Sequence, residues 1–270
     1  MTKKIKILAF GDVVGELGCA AFQKHVQGLK KQHEANFIIV NGENSCATGR
    51  GITPKIVNFF KHNGADIVTS GNHIWGNKDI IEHLENNHDV LRPINFPSEC
   101  PGKGVALLFK DGITLAVINL QGRVFMREML DCPFKAMDSL MTYLKDKADL
   151  ILVDFHAETT SEKMGIAHYL DGKVTAVVGT HTHVQTADER ILPNGTAFMT
   201  DLGMCGALNG MIGMRKENII RHLITQMPHK FVVDNEPPAV VSGACITANA
   251  ETGLATKIER FRIIDNEINC

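Results

Sequence analysis

Five times in this 270-residue chain a short apolar run ends on a loop that carries a carboxylate, an amide or an imidazole. Ile5 to Phe10 runs into Gly11-Asp12, Phe37 to Val40 into Asn41-Gly42-Glu43-Asn44, and Ile67 to Thr69 into Ser70-Gly71-Asn72-His73. Leu150 to Val153 runs into Asp154-Phe155-His156, and Val174 to Val178 into Gly179-Thr180-His181-Thr182-His183. In α/β folds functional groups gather outside the carboxyl ends of strands, so the five loops are expected to converge. Singly, each residue has a plainer reading: Asp12 and Asn72 as turn or cap formers, His156 as a hydrogen-bonded core residue, His181 and His183 as turn residues. Together they are expected to form one site.

The segments between these runs fix the fold class. Phe22, Val26 and Leu29 have helical spacing, which predicts a helix reaching about His33. Thr53-Pro54 starts a second helix with proline at its first position, and Asn63-Gly64 ends it. Further helices are expected over Lys78 to Leu84, Phe134 to Asp146, between His156 and Val174, and over Lys216 to Met227. Val105 to Phe109 and Ile113 to Asn119 flank Asp111-Gly112, a hairpin signal; Pro193-Asn194-Gly195 is a turn between strands, and Ala239 to Ala248 and Ala255 to Ile264 are late strands. Parallel βαβ units combined with hairpins predict an α/β protein of mixed sheets, two of them packed together with helices outside. No repeat or Gly/Ser-rich linker divides the chain, so residues 1–270 read as one domain.

An apolar fraction of 44% supports a substantial core, and a formal charge of -2 argues against a protein that coats nucleic acid or a membrane surface. The basic and apolar start is interrupted at Gly11-Asp12, short of a signal-peptide core, and no stretch is long enough to span a bilayer. Cys19, Cys46, Cys100, Cys132, Cys205, Cys245 and Cys270 are scattered, odd in number and without a Cys-x-x-Cys pair. They fit neither a disulfide framework nor a zinc ribbon, and the chain reads as a reduced, cytoplasmic protein.

Carboxylate and amide oxygens mixed with imidazoles favour iron, manganese, zinc or magnesium over a thiolate site. His181 and His183, one residue apart at a strand end, are expected to point to the same side, because side chains alternate along a strand. The ligands suffice for two ions, and a two-metal site acidifies a bound water and suits in-line displacement at a phosphate ester.

Gly11-Asp12, Gly42-Glu43-Asn44, Gly71-Asn72-His73, His156 and Gly179-Thr-His-Thr-His183, in that order, resemble the calcineurin-like metallophosphoesterases. Val14 stands where that superfamily has the histidine of Asp-x-His, and Glu43 where it has a bridging aspartate. These departures, with Asp154-Phe-His-Ala-Glu158, Thr186-Ala-Asp-Glu189 and Thr200-Asp-Leu-Gly-Met204, resemble the bacterial YmdB-type subfamily. The resemblance implies a four-layer αββα sandwich, two divalent or trivalent transition-metal ions, iron or manganese before zinc or magnesium, and hydrolysis of cyclic nucleotides. The 2′,3′-cyclic nucleotides come first and the 3′,5′-cyclic ones second. It also implies that Asp12, Glu43, Asn44 and His183 hold one ion, that Glu43, Asn72, His156 and His181 hold the other, and that His73 is catalytic.

The partner expected is a small-molecule phosphodiester or cyclic nucleotide, with RNA ends and a homo-oligomer left open. Arg123 and Phe125 are further candidates for substrate contact, against the ordinary readings of a solvated arginine and loop packing. Cys205 reads as a small buried residue rather than a nucleophile. Two rival functions stand beside the hydrolase. A metal-binding regulatory protein would leave His73 without a duty. A dinucleotide-binding protein would need Gly-x-Gly-x-x-Gly where this chain has Gly11-Asp-Val-Val-Gly-Glu-Leu-Gly18, and would leave the late histidines idle.

Overall fold

A computed structural model of the chain describes residues 3–268, so Met1, Thr2, Asn269 and Cys270 lie outside it. Strand β1 (Lys4–Val13) leads into helix α1 (Gly15–His33), β2 (Phe37–Asn41), α2 (Pro54–His62) and β3 (Ile67–Thr69), with β1, β2 and β3 side by side and parallel. A short helix α3 (Ile80–Asn86) follows; then β4 (Val105–Lys110) and β5 (Ile113–Gln121) form the expected hairpin. Its turn residues Asp111 and Gly112 have φ of 52° and 74°, the left-handed pair that a two-residue hairpin needs. Next come α4 (Pro133–Leu144), β6 (Leu150–His156), α5 (Thr160–Tyr169) and β7 (Ala176–Thr180). The chain closes with β8 (Arg190–Ile191), β9 (Ala197–Met199), β10 (Met204–Ala207), α6 (Lys216–Thr225), β11 (Ala239–Asn249) and β12 (Ala255–Asp265).

Two six-stranded mixed sheets result, in the orders β12-β11-β10-β1-β2-β3 and β4-β5-β6-β7-β9-β8. Burial on both faces explains why the strands read as continuous apolar runs. In β1, Ile5, Ile7 and Ala9 face the second sheet, meeting Leu115, Val117, Leu152 and Val178, while Leu8 and Phe10 face α1 and α2. On that outer side Phe22 packs edge-to-face on Phe10 and Phe60, with ring centroids 5.0 and 5.2 Å apart. Met137 and Leu140 of α4 and Ile166 of α5 cover the far face of the second sheet through Ile118, Val153 and Phe155. These are the four layers the resemblance implies.

Several elements differ from the sequence reading: β1 and β6 run on through Asp12 and His156, β7 is shifted from Val174–Val178 to Ala176–Thr180, and α3 from Lys78–Leu84 to Ile80–Asn86. Strand β10 is absent from that reading, because Met204–Ala207 has glycine before and within it; it is a strand because it is inserted between β1 and β11, pairing parallel to one and antiparallel to the other. A 3-10 turn, Ile74–Gly76, follows His73. Helices α4 and α6 end two residues early, at Leu144 and Thr225, and Asp146, expected inside α4, has a left-handed φ of 64°.

At the carboxyl ends of the central strands the apolar filling between the sheets gives way to polar pairs. Ser70 N–H donates to Asn119 Oδ1 and Asn119 Nδ2 donates to Ser70 O, both at 2.9 Å, one residue from each sheet. No described helix is long and apolar enough to cross a membrane. Cys46, Cys100, Cys132, Cys205 and Cys245 are free thiols.

Candidate metal centre

Asp12 belongs to the end of β1, Glu43 and Asn44 follow β2, Asn72 and His73 follow β3, His156 ends β6, and His181 and His183 follow β7. The structure therefore brings the five loops to one place, across the seam between the sheets. One ligand atom from each of Glu43, His156 and His181 lies within 4.8 Å of the others. His156 is fully buried, and its Nε2 is 3.0 Å from Glu43 Oε1, 2.9 Å from Asn72 Oδ1 and 3.0 Å from His181 Nδ1. Its ring packs so closely on Gly71 that a Cβ there would sit 2.1 Å from His156 Cδ2, which excludes any other residue.

Acceptors lying outside the cluster orient two of the three imidazoles. Thr180 donates its hydroxyl proton to Asp154 Oδ1 at 2.7 Å, so the 3.0 Å contact between Thr180 Oγ1 and His156 requires the ring proton on Nδ1. His183 Nδ1 donates to the Ile212 carbonyl at 2.9 Å, and Glu158 Oε2 lies 3.0 Å from His181 Nε2. His156 and His183 then present a bare lone pair inward, the arrangement in which outer acceptors orient metal-binding histidines. The His156 Nε2 lone pair faces Glu43 Oε1, Asn72 Oδ1 and His181 Nδ1, and this mixed set of imidazole nitrogens and oxygens fits a metal ion.

A second group fits another ion. Asp12 Oδ1 is buried without a hydrogen-bond partner, as is Asn44 Oδ1, whose amide nitrogen is committed to the Gly49 carbonyl at 3.0 Å. His183 Nε2 lies 3.8 Å from Asp12 Oδ1. Buried polar atoms left unpaired are costly, and a cation would satisfy them. Glu43 joins the groups' surroundings: its Oε2 accepts the His73 backbone N–H at 3.0 Å. The position that the Asp-x-His histidine would occupy holds Val14, which is buried in an apolar cluster with Met204, Met214 and Val240.

Protonation follows burial. Burial drives the His156 and His181 rings down to about 4, so both are neutral near pH 7, and it raises the carboxyls of Asp12 and Glu43. Both carboxyls would be ionised by a cation beside them. The His73 ring is also held below its usual value, first by burial and then by the Arg50 charge, with Glu43 opposing. Cys205 is buried and its thiol is pushed up to about 12, which removes it as a nucleophile.

The same-face reasoning for His181 and His183 does not hold. Strand β7 ends at Thr180, and the two histidines have φ of 104° and 63°. Backbone hydrogen bonds position them instead: His181 N–H to Asp12 Oδ2 and Thr182 N–H to Asp201 Oδ2, both 3.1 Å. Arg123 and Phe125 lie outside the cluster. Their loop leaves β5 beside His156, through Gly122 N–H to the His156 carbonyl at 2.9 Å, and the Arg123 backbone N–H is held by Glu162. Phe125 is 87% exposed.

Sequence reasoning gave no role to Asp154, Thr180, Glu158, Asp201 or Lys163. One signal was available: alternation along β6 places Asp154 and His156 on the same face as Leu152, between the sheets, where a carboxylate needs partners.

A family model described as YmdB-like protein matches residues 8–261. The chain is 45% identical over 264 residues to the 2′,3′-cyclic-nucleotide 2′-phosphodiesterase of Bacillus subtilis (strain 168), covering 98% of this chain and 99% of that protein. A crystal structure of a phosphatase from Mycoplasma pneumoniae superposes with a TM-score of 0.92 at 35% identity, over 98% of this chain and 95% of that one. A Thermus thermophilus protein of similar fold gives a TM-score of 0.90 at 37% identity, over 97% and 100% of the two chains. The motif order, the four layers and these likenesses agree: the chain belongs to the YmdB-like protein family.

Proposed function

We propose that this protein is a two-metal phosphodiesterase that hydrolyses 2′,3′-cyclic nucleotides, with iron or manganese as its ions. The observation that carries the reading is the convergence of the His156 and His181 imidazoles with Glu43 and Asn72 on one point. The substrate class is supported by the similarity to the Bacillus subtilis enzyme. Asp12, Asn44, His183 and Glu43 would hold one ion; Asn72, His156, His181 and Glu43 would hold the other, with Glu43 shared. Bound there, the ions would supply Lewis acidity to the phosphoryl oxygens and a water acidified toward neutrality.

The chain's own groups do the rest. Asp154, through Thr180, and the Ile212 carbonyl keep the His156 and His183 lone pairs aimed inward, and Glu158 stands 3.0 Å from His181 Nε2. Asp201 and Asp12 fix the backbone that bears His181 and His183. His73 is pinned through its backbone to Glu43, and no hydrogen bond among the described residues occupies its ring. A neutral imidazole still carries one N–H, which can donate to the scissile phosphate as the leaving alkoxide forms. The scattered thiols and low net charge suit a cytoplasmic enzyme acting on a small substrate.

The test is to strip the protein with a chelator, reload it with manganese or iron(II), and assay 2′,3′- and 3′,5′-cyclic nucleotides beside bis- and mono-nitrophenyl phosphates. Turnover of the 2′,3′-cyclic substrate should vanish on stripping and return on reloading, with the diester preferred over the monoester. Full activity after exhaustive chelation overturns the reading. Two bound ions without turnover would make the protein a metal-binding regulator instead.

A further inference from the structure

The loop that follows Asn44 lines a cleft of about 300 Å³, where Thr48 and Arg50 meet Met214, His229, Lys230 and Phe231. No carboxylate is in its wall, and among the described residues neither the Arg50 guanidinium nor the Lys230 ammonium has an ion-pair partner. Two unpaired cations flanking a concave surface attract an anion.

The cleft is joined to the active site through its own backbone. Asn44, a proposed ligand, holds the Gly49 carbonyl with its side-chain amide at 3.0 Å. On one side the loop packs on the turn after His73, where a Cβ at Gly76 would lie 2.9 Å from the Arg50 carbonyl carbon. On the other, a Cβ at Gly49 would lie 2.4 Å from Met214 Cε and 2.9 Å from Val233 Cγ2, so the loop is wedged in place. Lys230 is set by Asn218, whose amide donates to its carbonyl at 3.0 Å. The backbone of Arg50 is therefore fixed beside the turn after His73, and its exposed side chain, like that of Lys230, is unpaired among the described residues.

We propose that this cleft binds a phosphate group carried on the 5′ side of the nucleoside whose cyclic phosphate occupies the metal centre. The inference rests on the proposed function of the site and extends its substrate class, from free cyclic nucleotides to those bearing a second phosphate. Arg50 offers a planar fork to that phosphate and Lys230 a point charge, while Phe231 and Met214 supply an apolar wall for the sugar.

Three substrates separate the sources of that phosphate: adenosine 2′,3′-cyclic phosphate, the same compound with a 5′-monophosphate, and an adenylyl dinucleotide ending in a 2′,3′-cyclic phosphate. On the metal-loaded enzyme the two phosphate-bearing substrates should have kcat/KM about tenfold higher than the first, mainly through KM. A gain for both means that the cleft accepts a chain phosphodiester, and so RNA ends; a gain for the monophosphate alone means a terminal phosphate. Arg50→Gln with Lys230→Gln should bring the ratio close to one, measured within a single preparation and so insensitive to its metal content. Fluorescence-polarisation titration of a labelled dinucleotide reads the cleft even without turnover, and the double variant should bind about tenfold more weakly. Equal kcat/KM for all three substrates, or equal binding by parent and double variant, overturns the proposal. Loss of all turnover with the binding difference intact would count against the proposed reaction and not against the cleft.

Discussion

Lys163 donates to Asp201 at 2.7 Å, and neither side chain is more than 1% exposed. The same carboxylate accepts the backbone N–H groups of Thr182 and Gly203, at 3.1 and 2.8 Å. A helix lysine thus neutralises the group that holds the loop between His181 and His183. Changing Lys163 to Met leaves a buried carboxylate unpaired and should cost about 3–5 kcal/mol. Urea melts of chelated protein and metal analysis of loaded protein should both fall below the parent; a variant matching the parent in both contradicts the assignment.

Asp154 should control metal binding through Thr180. Asparagine at 154 would turn its amide nitrogen toward Thr180, because the other carboxylate oxygen faces the Asn41 amide nitrogen at 3.4 Å. Thr180 would then donate to His156 Nδ1, moving the ring proton to Nε2, where the lone pair is needed. Metal affinity of Asp154→Asn should drop about 10–100-fold, while Thr180→Ser should stay near the parent. Long-range proton–nitrogen NMR of the metal-free parent should show His156 protonated at Nδ1; protonation at Nε2 there would refute the relay.

His73 should matter to turnover and not to loading. His73→Gln is expected to lower kcat for a cyclic nucleotide by about 10²–10⁴-fold. Its metal content should stay near the parent, whereas Asp12 or His181 variants should lose metal. A nitrophenyl ester, whose leaving group needs little help, should suffer less. A variant that loses its ions, or retains the parental rate on the nucleotide, shows that His73 has another role.

Asp265 supplies a test in acid. Its Oδ2 takes Lys24 Nζ and His25 Nε2, each at 2.7 Å, tying α1 to the end of β12. The Lys24 hydrogen bond, helped by His25 and opposed by burial, lowers the carboxyl from 3.8 to about 2. Between those values the unfolded chain binds more protons than the native one. The contribution is therefore fully present above pH 3.8 and is lost as pH falls through 2. Asp265→Asn should be about 1 kcal/mol less stable than the parent at pH 7, a modest figure because Lys24 is half exposed. In chelated protein that gap should shrink steadily between pH 4 and 2; a constant gap would show that ionisation is not its source.

Much of this was legible in the residues themselves. Asp111-Gly112 specified the hairpin, Thr53-Pro54 and Asn63 bounded α2, and the five apolar runs fall in strands whose carboxyl ends carry the polar residues, although β1 and β6 run on through Asp12 and His156 and β7 is shifted to Ala176–Thr180. What the chain order hid was long-range. Met204–Ala207 is a strand only because β1 and β11 flank it, and the aim of His181 and His183 comes from left-handed backbone fixed by Asp12 and Asp201, which no local period reveals. Asp154, in plain view two residues before His156, acquires its duty only where Thr180 of the next strand comes alongside.

The seam between the sheets has a consequence for how this protein matures. Asp12, Glu43, Asn44 and Asn72 come from the first sheet, whereas His156, His181 and His183 come from the second. A nascent chain that has folded only its first hundred residues displays oxygen donors and no imidazole from the second sheet, so it can hold an ion only as weakly as any exposed carboxylate does. Tight capture of an ion would wait until β6 and β7 had docked against β1, β2 and β3. Metal uptake during synthesis would then report completion of the fold, and once captured, the ions would act as rivets that slow the sheets' separation.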